Sequence, residues 1–296
     1  MTSRKLRFAI VGNTYQAKKS ASVQKILNCL AMHEAEVCME REFHRFLVHG
    51  QHLSLDGVEV FDGNDFEADF TVSMGGDGTF LKTASMVGEK QIPIIGVNTG
   101  RLGFLADINP PEIDPMVQAI YEGDYAIDTR TVLQVETDGQ PLSGCPFALN
   151  DVAILKRDVA AMITVHTTIN GDYVTTYQAD GLVISTPTGS TAYSLSVGGP
   201  IIVPGTHVFS ITAVAPHSLN VRPLVIPDSD VISMRVESRN RYFLISLDGR
   251  SEIFPSGMEL TLSRADYRAK VVKRYNHTFY ETLREKLMWG ADIRAK

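Results

Sequence analysis

The 296-residue sequence contains three cysteines, Cys29, Cys38 and Cys145, and no CxxC pair. Odd in number and scattered, they exclude a disulfide framework or a zinc-finger spacing. They read as small buried hydrophobes in a reducing compartment. No apolar run approaches the ~20 residues that span a bilayer. The amino terminus starts with positive charge, but only four apolar residues precede Gly12 and Asn13, too few for a signal-peptide core. Lys and Arg number 28 against 34 Asp and Glu, a net charge of -6, and no segment concentrates them. That sets nucleic acid aside as the main partner, because backbone phosphates need a concentrated basic footprint. A small phosphorylated ligand needs only a few local donors. These absences together lead us to expect a soluble cytoplasmic protein with neither a membrane nor a nucleic-acid partner.

Other absences are motifs. No GxxxxGK[ST] occurs, so a P-loop is excluded. No GxGxxG follows the first apolar run, which leaves a dehydrogenase reading without its anchor. The eight histidines form no HExxH or other metal-ligand spacing, and no metal site is expected from the side chains. His217 and His277 read as structural or peripheral. No GxSxG elbow is present for a Ser-His-Asp hydrolase.

What is present alternates between strand and helix signals in the first part of the chain. Leu6–Val11, Glu36–Glu40, Asp69–Met74 and Pro93–Val97 read as strands, and Ser20–Met32, Phe43–Val48, Phe80–Val87 and Glu112–Tyr121 as helices. Such alternation predicts a doubly wound α/β domain over residues 1–124. From about Tyr125 the texture changes to strands: Thr131–Thr137, Ala148–Ile154, Met162–Ile169, Leu182–Thr186, Val231–Val236 and Phe243–Leu247. Asp138-Gly139, Asn170-Gly171 and Asp248-Gly249 are hairpin signals among them. Residues 125–272 are therefore expected to form an all-β, sandwich-like domain. Residues 273–296, with a helix over Asn276–Met288, are expected to return to the first.

The strongest local signal is Ser73–Ala84, SMGGDGTFLKTA. An apolar strand runs into Gly75, Gly76, Asp77, Gly78 and Thr79, and a helix follows. Glycines let the backbone approach a ligand without a Cβ in the way, and a helix amino terminus offers N–H groups and partial positive charge to phosphate. Thr79 is placed to cap the helix or touch a phosphate. Lys82, one turn in, is placed to reach the same anion. A carboxylate at Asp77 beside phosphates is repulsive unless it binds Mg²⁺ or takes a proton from an incoming hydroxyl, and both jobs suit a kinase. The bland alternative is a tight turn with Asp as a cap.

Thr186–Tyr193, TPTGSTAY, is dense in hydroxyls directly after an apolar strand. It suits the ribose and base of a nucleoside, or a turn whose hydroxyls satisfy local backbone groups. Composition leaves both open.

GGDGT after a strand resembles the superfamily of NAD kinases, diacylglycerol and sphingosine kinases, and 6-phosphofructokinases. Asn98–Asp107 (NTGRLGFLAD), Leu149-Asn150-Asp151, Pro216–Ile226 and above all Asp180–Pro200 (DGLVISTPTGSTAYSLSVGGP) resemble the NAD kinase family in order and wording. The resemblance runs from Arg7 to Trp289. It implies phosphorylation of the adenosine-ribose 2′-hydroxyl of NAD by ATP with Mg²⁺ or another divalent cation. It implies Asp77 as general base, with Gly78 lining the same pocket. Asn150, Asp151, Thr191, Ala192, Tyr193, Ser194, Leu195 and Ser196 would bind adenine and ribose, Phe104 would lie near the adenine, and Ala215 would line the site. Asp180 would meet the nicotinamide end, in some relatives across a subunit boundary. NAD is then expected in a cleft between the two domains, with Gly75–Thr79 and Lys82 on phosphate oxygens. A homo-oligomer, dimer or tetramer, follows from the same resemblance. The chain departs from it at Gln178, where some members are basic, and at Arg250, where some hold Gln. The rival readings are a lipid or sugar kinase on the same platform and a non-catalytic NAD(P)-binding sensor.

Overall fold

The computed structural model describes residues 4–14, 20–99, 103–158, 161–273 and 277–290. In the first unit, short apolar runs become parallel strands. β1 (Arg7–Gly12), β2 (Glu36–Glu40), β3 (Glu59–Phe61), β4 (Phe70–Gly75) and β5 (Ile94–Asn98) pair in the order β3-β2-β1-β4-β5. Every residue of β4 and β5 is buried, as befits central parallel strands covered on both faces. The helices are α1 (Ser20–Met32), α2 (Arg41–Arg45), α3 (Asp77–Val87) and α4 (Ile113–Glu122). Val23, Ile26 and Leu30 of α1 and Ile113, Val117 and Ile120 of α4 join Phe8, Ile10 and Val72 in one core. Their i, i+3, i+4, i+7 spacing is what makes these segments helices with one apolar face.

Helix boundaries differ from the sequence expectation, most clearly at α2 and α3. The segment expected as a helix over Phe43–Val48 is α2 followed by a π-helical turn over Phe46–Gly50. Glu40 caps α2, accepting the Phe43 N–H at 2.9 Å, which pulls the start back. Helix α3 begins at Asp77 rather than Phe80, and its cap position is Gly76, with no side-chain cap bond. Thr79 therefore sits inside the helix; its Oγ1 lies 2.1 Å from where a Cβ on Gly75 would stand.

Strand β6 (Ala126–Arg130) closes the first unit's linear run. The second unit has two six-stranded sheets built from β7 (Leu133–Thr137), β8 (Phe147–Ala148), β9 (Asp151–Lys156), β10 (Ile163–Ile169), β11 (Asp172–Ala179), β12 (Gly181–Ser185), β13 (Val208–Val214), β14 (Leu224–Pro227), β15 (Ile232–Ser238), β16 (Tyr242–Leu247), β17 (Arg250–Pro255) and β18 (Glu259–Arg264). Their orders are β11-β10-β15-β18-β7-β8 and β14-β13-β12-β9-β16-β17. Alternate residues of both sheets, such as Val165, Met234 and Leu260 from one and Ile154, Ile184 and Phe243 from the other, meet in a single core. That is the period-2 signature of a sandwich. Asn170-Gly171 and Asp248-Gly249 close hairpins with positive φ at both residues. Asp138-Gly139 does not: β7 reaches β8 across the loop of residues 138–146.

β19 (Ala269–Lys273) then re-enters the first sheet beside β5, and α6 (Phe279–Leu287) follows. Thr278 and Glu281 form its capping box; Asn276, where the helix was expected to start, lies outside the described residues. The compact units are Met1–Thr129 with Ala269–Lys296, and Arg130–Arg268. The boundaries expected at 124/125 and 272/273 thus move, because β6 and β19 belong to the first sheet. A strand's own alternation does not say which sheet it joins. Among the described residues no helix is long and apolar enough to cross a membrane.

Candidate active site

In the first unit the strand order reverses between β1 and β4, the kind of point where open α/β sheets bind ligands beyond their carboxyl ends. The loop after β4 opens there, and Asp77 is the first residue of α3, where the helix dipole favours negative charge. Its carboxylate accepts three consecutive backbone N–H groups: Phe104 on Oδ2 at 2.7 Å, Leu105 and Ala106 on Oδ1 at 2.9 and 3.2 Å. The chain can come this close only because residue 103 is glycine. A Cβ there would stand 1.9 Å from Asp77 Oδ1. The Lys286 ammonium of α6 lies 5.1 Å from the centre of the Phe104 ring. Gly100, Arg101 and Leu102, in the middle of the Asn98–Asp107 motif, lie outside the described residues.

Lys82 is occupied differently from the sequence expectation. Its Nζ is 3.2 Å from a carboxylate oxygen of Glu40 and 3.2 Å from one of Glu42. Burial works against its charge, yet the two carboxylates hold the ammonium above its ordinary range. The side chain expected on a phosphate is thus engaged by two acids, and residue spacing alone could not show that these acids sit beside it.

In the second unit, Leu149-Asn150-Asp151 is the centre of a knot. Its three N–H groups all donate to Asp248, Leu149 to Oδ2 at 2.8 Å, Asn150 and Asp151 to Oδ1 at 2.8 and 3.2 Å. Its carbonyls turn to the hydroxyl-rich loop. Leu149 O accepts Thr186 Oγ1 at 2.6 Å, and Asn150 O accepts the Thr186 N–H at 2.9 Å. Gly189 passes so close that a Cβ would stand 2.1 Å from Asn150 O. The Asp151 carboxylate accepts the N–H of Tyr193, the first residue of the short helix α5 (Tyr193–Ser196), which lies against β12. The loop, the Asn-Asp pair and the Asp248 turn are therefore one hydrogen-bonded assembly, and most hydroxyls of Thr186–Tyr193 do satisfy backbone groups.

Two features of this assembly face outward from that bonding. Asn150 Oδ1 is buried without a hydrogen-bond partner. Asp151 is 6% exposed, and burial, together with the charge of Asp248, raises its carboxyl to about 7 against the pull of the Tyr193 N–H. Burial raises Asp248 as well, opposed by its three N–H donors and by Arg250. Tyr193 is 37% exposed, Thr191, Ala192 and Leu195 are half-buried, Ser194 is buried and Ser196 exposed. Ala215 carries a positive φ of 45°. Asp180 pairs with Lys156 at 2.7 Å. Arg250 donates to the carbonyls of Leu247, Cys145 and Phe147. Asp248-Gly249 showed in the sequence as a hairpin signal and as part of the family resemblance, but the bonds of Asp248 did not, since its partners are about a hundred positions upstream.

A strand–glycine loop–helix at the reversal of a parallel sheet, carried with a β-sandwich that bears a hydroxyl-rich loop, marks a phosphotransferase of the Gly-Gly-Asp-Gly-Thr class. The ATP-NAD kinase N-terminal domain matches residues 8–125 and the ATP-NAD kinase C-terminal domain residues 149–274. A NAD kinase of Bacteroides fragilis is 56% identical over 289 residues, 98% of this chain and 100% of that one. A NAD kinase of Porphyromonas gingivalis is 44% identical over 288 residues, 97% and 99% of the two chains. Among solved structures, yeast NADH kinase complexed with NADH has a TM-score of 0.88 at 24% identity, covering 99% of this chain and 90% of that one. A NAD kinase from Archaeoglobus fulgidus in complex with ATP has a TM-score of 0.73 at 25% identity, covering 96% and 98%. The chain belongs to the NAD kinase family, and its activity is transfer of a phosphoryl group from ATP to NAD to give NADP and ADP.

Proposed function

We propose that Asp77 is the general base of this transfer. The supporting observation is its carboxylate geometry: three backbone N–H groups take up three of its roughly four acceptor positions. One position is left for the adenosine-ribose 2′-hydroxyl, on a group fixed in place before substrate arrives. Asp77 takes the hydroxyl proton as the oxygen forms its bond to the γ-phosphorus of ATP, and the bond from that phosphorus to the β–γ bridging oxygen breaks to release ADP. The backbone N–H groups of Gly75, Gly76 and Gly78 are the phosphate donors in this reading; the Thr79 N–H already donates to the Gly76 carbonyl at 3.0 Å, and Lys82 is held by Glu40 and Glu42.

Adenosine recognition falls to the second unit. Asn150 Oδ1, an unpartnered buried acceptor, would take a donor from adenine or ribose, and Asp151, Tyr193 and Ser196 would complete the contacts. Ala215 would line the base, and Asp180 would meet the nicotinamide end. The NADH of the yeast structure and the ATP of the Archaeoglobus structure support these substrates. Among the described residues no three His, Cys, Asp or Glu side chains gather into a metal site. A divalent cation would therefore come with ATP, held chiefly by phosphate oxygens and offsetting their charge. A cytoplasmic homo-oligomer completes the proposal; sedimentation of the purified protein tests the assembly.

The decisive experiment incubates the protein with ATP, Mg²⁺ and NAD, and quantifies NADP enzymatically for wild type and Asp77→Asn. Loss of a general base lowers turnover by roughly 10²–10⁴-fold. A folded Asp77→Asn protein with undiminished turnover would remove Asp77 from the chemistry.

A further inference from the structure

We propose that Asp248 is a positioning residue for NAD: through its carboxylate it fixes the backbone that presents Asn150 and Asp151, and it sets a second carboxylate beside that of Asp151. The inference rests on the reading of Asn150 and Asp151 as adenosine ligands, and adds a control over them. Asp248 sits at the hairpin between β16 and β17 in a left-handed conformation, φ 48°. From there its two oxygens collect three successive N–H groups of residues 149–151. The same three residues hold the hydroxyl-rich loop through Thr186, and Asp151 holds the start of α5 through the Tyr193 N–H. One turn carboxylate thus orders three segments that are distant in sequence.

The charge relation comes from the same geometry. Asp151 is buried and Asp248 half-buried, and the Asp248 carboxylate and the Tyr193 N–H lie against Asp151. Burial raises Asp248 too, while its three N–H donors and then Arg250 favour its ionised form. Two neighbouring buried carboxylates resist ionising together. Asp151 consequently keeps its proton to about pH 7, and offers a ribose or adenine donor a charged acceptor only above that.

The test compares steady-state kinetics of wild type and Asp248→Asn across pH 5.5–9, with thermal melting to verify the fold. An amide retains an acceptor for at most two of the three N–H groups and removes the charge. The expected result is a KM for NAD raised about tenfold or more, kcat within about threefold, and an unchanged KM for ATP. The acid limb of kcat/KM for NAD should also move down by about one pH unit as Asp151 is relieved of its neighbour. A merely structural turn residue would not move that limb, so an unshifted limb, or an unchanged KM for NAD, overturns the proposal. Should Asp248→Asn fail to fold, Asp151→Asn decides. The acid limb must then disappear, and its persistence overturns the assignment. Asn150→Ala separates the two levels: an unchanged KM for NAD there defeats the adenosine-pocket reading itself, whereas a raised KM there with none in Asp248→Asn defeats only the role of Asp248.

Discussion

Asp77 in the α/β unit and Asp248 in the β-sandwich make the same local structure: one aspartate accepting three consecutive backbone N–H groups. Their settings separate their uses. Asp77 begins a helix at the reversal of a parallel sheet, after a glycine-rich loop. Asp248 lies in a hairpin beside the buried Asp151 carboxylate, and what it holds is the backbone of residues 149–151. An aspartate on three amides is therefore no signature of catalysis by itself. The surroundings decide whether the fixed carboxylate reacts, or fixes something that binds.

Each cradle depends on a glycine, and the two glycines give the sharpest way to break the comparison. A Cβ at Gly103 would stand 1.9 Å from Asp77 Oδ1, and one at Gly189 2.1 Å from Asn150 O. Gly103→Ala must push the base or its loop aside, and a displacement of about 1 Å costs on the order of 10²-fold in turnover. Gly189→Ala pushes on backbone instead. Its expected effect is a loss of about 1–3 kcal/mol in stability together with a raised KM for NAD and a smaller change in kcat. Kinetics and urea unfolding of both variants check this, and equal effects on kcat would erase the distinction between a reacting cradle and a binding one.

The two cradles also differ in how far the sequence disclosed them. Asp77 stands in a compact signal, strand, glycines, helix, so the loop that carries it was legible before any fold was known. The amides it binds are only 27 to 29 residues away. The partners of Asp248 lie 97 to 99 residues upstream, across strands whose pairing no local pattern encodes. The same reason accounts for β6 and β19, which the sequence reading did not single out as strands and which join the first sheet, and for Lys82, whose acidic neighbours arrive from the end of β2 and the start of α2. Apolar periodicity disclosed the α/β and all-β halves and most helices; long-range pairing of charges it did not.

Asp151 sharpens the comparison through stability. In the folded protein its carboxyl keeps a proton to about pH 7, while in the unfolded chain an aspartate loses it near 3.9. The folded state thus binds the extra proton between these values. The stability this group contributes is full below about pH 4 and is lost as pH rises through 7. Asp151→Asn removes the penalty and keeps an acceptor for the Tyr193 N–H. The variant should therefore be more stable than wild type at pH 8, by on the order of 1–2 kcal/mol, with the difference shrinking towards pH 4. Urea unfolding at pH 5 and pH 8 measures it. A difference that does not change with pH would mean that Asp151 is ionised throughout, and that its neighbour Asp248 exerts no such pressure.

The smallest effect is expected at Lys82, a cation in α3 whose position in the sequence suggests a phosphate contact. Its ammonium is already shared between Glu40 and Glu42, and its side chain is 43% exposed. A partly exposed pair of this kind is worth about 0–1 kcal/mol. Glu40, at 7% side-chain exposure, would keep its bond to the Phe43 N–H after the lysine is gone. Lys82→Gln should consequently lower the melting temperature slightly and leave KM for ATP and kcat within about threefold. A tenfold rise in KM for ATP would show that the lysine leaves its two acids for a phosphate in the substrate complex. The Asp77 cradle would then recruit a side-chain cation in addition to backbone amides, and would differ from the Asp248 cradle in its mobile parts as well as in its setting.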